Sequence, residues 1–191
     1  MITHRGAIVA GGVALAAVLG WLLFVALPKW YRPPATRAAT AQGPKTAPAP
    51  GRKIKARLFY VADDGSRLVG VEQEVPFGEG TVEQARQIIE AQIAPPSDQL
   101  VSAVPAETKL RAIFVTERGE AFVDLSRELV TGHTGGSTNE VLTVYALVNA
   151  LTANLPAVTS VQVLVDGKQV DTLAGHIDLR RPIEKNLEWV Q

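Results

Sequence analysis

From residue 54 onward, apolar and polar positions follow two distinct periods. Ile54, Ala56, Leu58 and Tyr60 alternate with Lys55, Arg57, Phe59 and Val61, the period of a strand with one face turned inward. Asp63-Asp64-Gly65 follows, a strong turn signal. Leu68 to Val75 returns as a strand, with Val69, Val71 and Val75 on one face and Glu72 and Glu74 on the other. The period then becomes helical. Val82, Ala85, Ile88, Ile89, Gln92 and Ile93 recur on one face, Thr81 and Gln84 stand at capping-box spacing, and Pro95-Pro96 ends the run.

The same order then repeats. Leu110, Ala112 and Phe114 alternate with Arg111, Ile113 and Val115, Gly119 turns the chain, and Ala121 to Leu125 returns. A second helix is predicted from Ser137, as cap, with Glu140 in the reciprocal capping position. Its stripe is Val141, Val144, Tyr145, Val148, Leu151 and Thr152, widened by Leu142 and Leu147, so much of its circumference is buried. Asn154-Leu155-Pro156 stops it. Val161 to Val165, the Asp166-Gly167 turn and a return over Gln169 to Leu173 complete the series. The order ββαββαββ predicts an α+β domain over residues 54–182. Its expected architecture is a mixed, largely antiparallel sheet with two helices packed on one face. Residues 183–191 are expected as a C-terminal tail.

The first part of the chain reads differently. After a short N-terminal tail (1–6), residues 7–27 are 21 positions without a charge, including Ile8, Val9, Val13, Leu15, Leu19, Trp21, Leu22, Leu23 and Phe24. At about 1.5 Å per residue that length just crosses roughly 30 Å of hydrocarbon, and Trp30 and Tyr31 stand where interfacial aromatics settle. A cleaved signal peptide is the competing reading, but Pro28-Lys29-Trp30 is a poor cleavage context and Ala39-Thr40-Ala41 lies well downstream. A retained membrane anchor is therefore expected. Residues 28–53 hold six of the chain's 12 prolines and are otherwise mostly Ala, Thr, Gly and basic residues. That composition predicts an extended, basic, proline-rich linker.

Charge sharpens this division. Residues 1–53 carry seven Lys and Arg and no acidic residue, which leaves 12 basic and 19 acidic residues for 54–191. A domain at −7 repels phosphate backbones and excludes nucleic acid as an expected partner, whereas the basic part suits anionic lipid. Arg5 alone precedes the apolar span, while Lys29, Arg32 and Arg37 follow it. Charge counting on its own would place the C-terminal side in the cytoplasm.

Candidate chemistry is sparse. There is no cysteine, so disulfides, thiolate metal sites and a lipid-modified cysteine are excluded. A Ser–His–Asp set from Ser126 or Ser137, His133 and Asp124 lacks any nucleophile-elbow pattern. Asp63-Asp64-Gly65 has too few oxygen donors for a calcium loop, and His176 with Asp178 would need partners from elsewhere for zinc. Gly132 to Gly136 precedes a helix but lacks the lysine of a P-loop, and reads as cap and turn. No catalytic residue, metal or cofactor is expected.

Several ordered stretches carry a resemblance. They are Arg57-Leu58-Phe59-Tyr60; Val104-Pro105 with Thr108-Lys109-Leu110; Val123-Asp124-Leu125-Ser126; Gly136-Ser137 with Glu140; and Val148 to Thr152. Val161 to Gly167 and Thr172 to Asp178 complete the set. Between about Lys55 and Asp178 the chain resembles the GerMN (sporulation and spore germination) domain family. The resemblance implies a fold like the ring-building motifs of secretion-type assemblies. It also implies a membrane-anchored, extracytoplasmic bacterial domain without known catalytic residues. The chain departs from the family's pattern in having an apolar span in place of a lipobox cysteine, one copy of the domain, and Pro95-Pro96 where Gly-Pro is usual.

The function expected from this reading is a non-enzymatic interaction or structural module of the bacterial envelope. It would be single-pass in the cytoplasmic membrane with residues 54–182 outside, supporting assembly of an envelope or sporulation-type complex. The expected partners are the membrane, through residues 7–27, and an envelope protein or a second copy. The alternatives are a groove near Gly132–Gly136 that takes a cell-wall glycan or peptide, peptidoglycan included, and an envelope hydrolase using His133 or His176.

Overall fold

The computed structural model describes Trp21 and residues 51–97 and 99–191. Apart from Trp21, the expected anchor at 7–27 lies outside the described residues, as does nearly all of the linker at 28–53. Among those described, no helix is long and apolar enough to cross a membrane.

The domain opens with the hairpin read from the alternation, β1 (Lys53–Val61) and β2 (Leu68–Pro76), paired antiparallel with Tyr60 opposite Val69. At its turn the Asp64 carboxylate accepts the Ser66 amide (3.0 Å) and hydroxyl (2.7 Å), which shapes the turn. Helix α1 (Gly80–Ile93) buries Ala85, Ile88, Ile89 and Gln92 and stops ahead of Pro95. Strands β3 (Leu110–Val115) and β4 (Glu120–Leu125) form a second hairpin with a bulge between Leu110 and Ala112. A one-turn helix α2 (Glu128–Thr131) leads to α3 (Ser137–Asn154), on which Val144, Ala146, Leu147, Val148, Ala150 and Leu151 are all buried. Strand β5 (Ser160–Val165) then lies parallel to β4, as a helical crossover allows. Two short strands, β6 (Lys168–Gln169) and β7 (Ile183–Glu184), both pair with β5.

The α+β class stands, but the strands form two sheets, β1–β2 and β3–β4–β5 with β6 and β7. Amide side chains account for the split. Gln92 on α1 accepts the Phe59 amide at 2.9 Å and donates to the Phe59 carbonyl at 2.7 Å. Asn154, at the end of α3, treats Arg57 in the same way at 2.8 Å and 2.8 Å. Each carboxamide imitates a peptide unit, so the outer edge of β1 meets two helix side chains where a third strand could have been.

Residues 183–191 are no tail. Besides β7, Asn149 on α3 donates to the Asn186 carbonyl (2.7 Å) and accepts its amide (3.1 Å). Leu68 donates to the Trp189 carbonyl (2.7 Å) and accepts the Gln191 amide (2.9 Å). The alternation that betrays a strand is too short here to see, because each contact involves one or two residues. Likewise, β6 ends at Gln169 where a return to Leu173 was expected.

Both capping boxes are also corrected. Neither Thr81 nor Ser137 caps its helix through a side chain. Gln84 instead accepts the Gly78 amide (2.9 Å) and donates to the Pro76 carbonyl (3.2 Å), tying the end of β2 to the helix start. Gly136 at φ 87° precedes α3, a backbone that a side chain there would strain.

Candidate functional site

The polar residues singled out in the sequence fall into three separate groups. In the first, the His133 Nδ1 accepts the Gly135 amide (2.9 Å) and its Nε2 lies 3.2 Å from the Thr143 hydroxyl. The accepting role of Nδ1 places the proton on Nε2, which donates to Thr143. Thr143 in turn donates to the Ala103 carbonyl at 2.5 Å. His133 thus fastens the 132–136 loop to α3 and to the 101–105 segment. It bonds neither Ser126 nor Asp124. Ser126 accepts the Lys109 amide (3.0 Å).

The second group lies at the end of the five-stranded sheet. Asp124 on β4 is buried and accepts the Gly167 amide at 2.7 Å, which fixes the β5–β6 turn. Arg111, the extra residue of the β3 bulge, sends Nε to Asp124 (3.2 Å) and Nη1 to Asp166 (2.7 Å). The bulge re-aims the arginine across the sheet face, so one guanidinium joins β3, β4 and the β5–β6 turn.

The third group is centred on Glu140, whose side chain is fully buried on the first turn of α3. One oxygen accepts the Leu173 amide at 2.8 Å. The other accepts the His176 amide at 2.8 Å and lies 3.1 Å from His176 Nδ1. Burial pushes this carboxyl up, but the N–H groups of Ala174, His176, Leu173 and Ile177 outweigh it and hold it below the usual carboxylate value. The 172–177 loop is therefore wrapped around an anion, and Leu173 within it and Leu179 after it enter the core. Outside the loop lies a shallow depression of about 200 Å³ lined by Asp171, Thr172, His176, Asp178 and Arg180. Asp178 is not free for a ligand, because Arg180 grips it through Nε (2.9 Å) and Nη2 (2.7 Å) and holds its carboxyl well below the usual range.

His176 and Asp178 are thus neighbours on one loop, spoken for by different partners, and His133 is tied to Thr143 in a separate group. Among the described residues no three His, Cys, Asp or Glu side chains converge as a metal site would need. Sequence reasoning missed the role of Glu140, since a glutamate three residues after Ser137 fits a capping box equally well. The available signal was its company: a glutamate followed by Val141, Leu142 and Val144 on a helix apolar nearly all round needs a buried partner.

A few large apolar side chains are also exposed. Phe114 on β3 is 61% exposed, and its cross-strand neighbour Phe122 is half-buried. At the turn end of the first hairpin, Val101 bridges to Val61 and is 61% exposed, while Trp189 and Leu187 reach the surface on the side where Val190 bridges to Leu68.

The architecture α1–β3–β4–α3–β5, two helices with an antiparallel pair and a parallel third strand, can be set beside known proteins. A family model described as Germane, sporulation and spore germination, matches residues 57–171. The chain belongs to the Germane family. The GerMN resemblance read from the ordered stretches holds. A candidate lipoprotein from Clostridium perfringens is 26% identical, with a TM-score of 0.51 over 70% of this chain and 88% of that one. The tandem GerMN domains of the sporulation protein GerM from Bacillus subtilis match at 17% identity and TM-score 0.51, over 71% of this chain and 46% of that one. The first of those domains alone matches at 18% identity and TM-score 0.50, over 69% and 97%. These last two likenesses speak for the fold. No curated protein matches the chain. The Germane match ends at Asp171, so the loop bound by Glu140 lies just beyond the matched residues.

Proposed function

We propose that this Germane domain is a non-catalytic interaction module, held outside the cytoplasmic membrane by residues 7–27, that supports assembly of an envelope or sporulation-type complex. The observation that carries the reading is the contrast between its polar and apolar surface. Asp124, Glu140, His133 and Asp178 are each engaged in fixing a loop. Phe114, Val101 and Trp189 stand in solvent at strand ends and edges, where a partner chain can cover them. The family's description, sporulation and spore germination, supports the sporulation-type reading, and the likeness to a candidate lipoprotein supports a place at the membrane.

Crosslinking in intact cells followed by mass spectrometry tests the reading. The domain is expected in a discrete adduct with an envelope protein or a second copy; a chain that is never crosslinked at any site refutes it. Cell-wall glycan or peptide is the alternative ligand. Retention on purified peptidoglycan at both low and high salt, lost on altering the 132–136 loop, would favour it. The membrane side is tested by C-terminal reporter fusions, of which the extracytoplasmic reporter is expected to be active.

A further inference from the structure

The chain holds two Asp–Gly peptide bonds, Asp64–Gly65 and Asp166–Gly167, and no Asn–Gly bond. An Asp–Gly bond is a chemical weak point, because no β-carbon shields the glycine nitrogen. That nitrogen attacks the carboxyl carbon of the preceding side chain. A C–N bond forms, one carboxyl oxygen leaves as water with the amide hydrogen and a proton, and a cyclic succinimide results. Water then opens either ring carbonyl and gives aspartate or isoaspartate, whose main chain runs through the side-chain carbons. The water lost is regained, so no other reactant is needed. The step requires a glycine nitrogen released from competing bonds and an aspartate side chain able to turn back onto it.

The two bonds meet these requirements differently. At the end of the five-stranded sheet, Gly167 donates its amide to the buried Asp124 carboxylate at 2.7 Å, and the Asp166 carboxylate is held by Arg111 at 2.7 Å. These partners stand 43 and 55 positions away along the chain, and Arg111 is itself bonded to Asp124 at 3.2 Å. Nucleophile and target are thus fixed by one cluster that belongs to the sheet. At the tip of the first hairpin every bond is local. Gly65 donates to the Ala62 carbonyl at 2.8 Å, and Asp64 accepts only from Ser66. Asp63, Asp64, Gly65, Ser66 and Arg67 are all exposed. A turn whose partners lie within a few residues opens by itself while the β1–β2 ladder stays paired, whereas the Asp166–Gly167 turn opens only with the cluster.

We propose that Asp64–Gly65 is a site of spontaneous aspartate isomerisation in the folded domain, and that Arg111 and Asp124 close Asp166–Gly167 to the same reaction. The polar cluster at the sheet end therefore protects a peptide bond as well as joining strands. At Asp64 the product lengthens the main chain at the hairpin tip and moves the carboxylate off the side chain that holds Ser66. The tip lies between the bridges Val61–Val101 and Leu68–Val190, so the change falls beside the contacts that tie the hairpin to the 101–105 segment and to the C-terminal residues.

The full chain in detergent micelles, kept at neutral pH in water enriched in heavy oxygen, gains one labelled carboxyl oxygen each time a succinimide reopens. Peptide mapping by mass spectrometry reads that label at each bond and separates isoaspartate from aspartate. In the folded chain the label at Asp64 should exceed that at Asp166 by at least about tenfold. In denaturant the same two bonds lose their partners, and their labels should agree within about twofold. Arg111→Ala, which removes a half-exposed side chain, should raise the label at Asp166 several-fold and leave that at Asp64 unchanged. Asp124→Ala, which frees the Gly167 amide, should raise it further. A folded parent labelled equally at the two bonds, or unlabelled at Asp64, overturns the inference. An Asp166 label that Arg111→Ala does not move also overturns it, and this variant decides the matter if Asp124→Ala unfolds.

Discussion

Replacing Glu140 by glutamine tests whether the 172–177 loop is organised by a buried anion. Glutamine keeps the shape of the side chain but presents one acceptor oxygen and one NH2 group. The Leu173 and His176 amides each point at a separate oxygen of Glu140 at 2.8 Å. One of them must therefore face a donor, and the other exchanges a charge-assisted bond for a neutral one. A hydrogen bond to a charged group contributes roughly 1.5–3 kcal/mol and a neutral one about 1 kcal/mol. Losing the first and halving the second costs about 3 kcal/mol. Relief from desolvating a charge offsets part of this, so a net loss of about 2–3 kcal/mol is expected. Denaturant melts followed by circular dichroism measure the total, and amide exchange at Leu173 and His176 locates it. The dependence on pH has a definite sign. The folded-state carboxyl is held below its ordinary value, so its contribution is fully present above the unfolded carboxylate value, about 4.3. It is lost as pH falls through the lower folded value. The gap between parent and Glu140→Gln should thus be constant above about pH 5 and close in more acidic solution. A loss below about 0.5 kcal/mol with unchanged exchange at both amides would refute the reasoning.

Four further substitutions probe other parts of the argument. Leu151→Ala, at a fully buried position on α3, should cost about 2–5 kcal/mol by thermal or chemical melting. Gln92→Ala leaves the Phe59 amide and carbonyl without their partners and should cost about 1–3 kcal/mol, with faster exchange of the Phe59 amide as its signature. Thr108→Val should be neutral or stabilising by up to about 1 kcal/mol, because the buried Thr108 hydroxyl has no hydrogen-bond partner among the described residues. Gly119→Ala should destabilise by about 1–3 kcal/mol, since Gly119 has φ 84° and a β-carbon there would lie 2.7 Å from the Ala157 carbonyl oxygen.

The regular elements were legible because each keeps one period for six residues or more. Ala56, Leu58 and Tyr60, Ile88 with Ile89, and Val144 with Leu147, Val148 and Leu151 all fall on the inward faces that their spacing predicts, whereas Phe59, on the opposite face of β1, is buried as well. Contacts that depend on one side chain meeting a distant backbone were not legible. Nothing local distinguishes Gln92 or Asn154, which seal the edge of β1, from a glutamine or asparagine in solvent. The same applies to Asn149, which binds Asn186 across 37 positions and turns an apparent tail into part of the domain. At the polar sites, Asp124 was seen as the end of a strand, yet its partners Arg111 and Gly167 come from a bulge and a turn whose geometry the sequence does not display. The family resemblance, carried by seven short stretches in order, was more informative than any one of these residues.

The amide and carboxylate contacts share one physical consequence. A side chain that satisfies a backbone amide and carbonyl together removes a site where another chain could add. Gln92, Asn154 and Asn149 do this for β1 and the C-terminal segment, while Glu140 accepts two backbone amides of the 172–177 loop. Such groups are buried, so their desolvation is offset only when every partner is present, and the closed edges are rigid for that reason. Where no such side chain exists, at Ile113 and Val115, the backbone must bond to water or to another chain. The flanking residue is then decisive: a charged side chain favours water, whereas an exposed ring such as Phe114 favours burial. Opening the edge of β1 by Gln92→Ala should not turn it into a site of strand addition, because Asn154 still blocks the neighbouring rung.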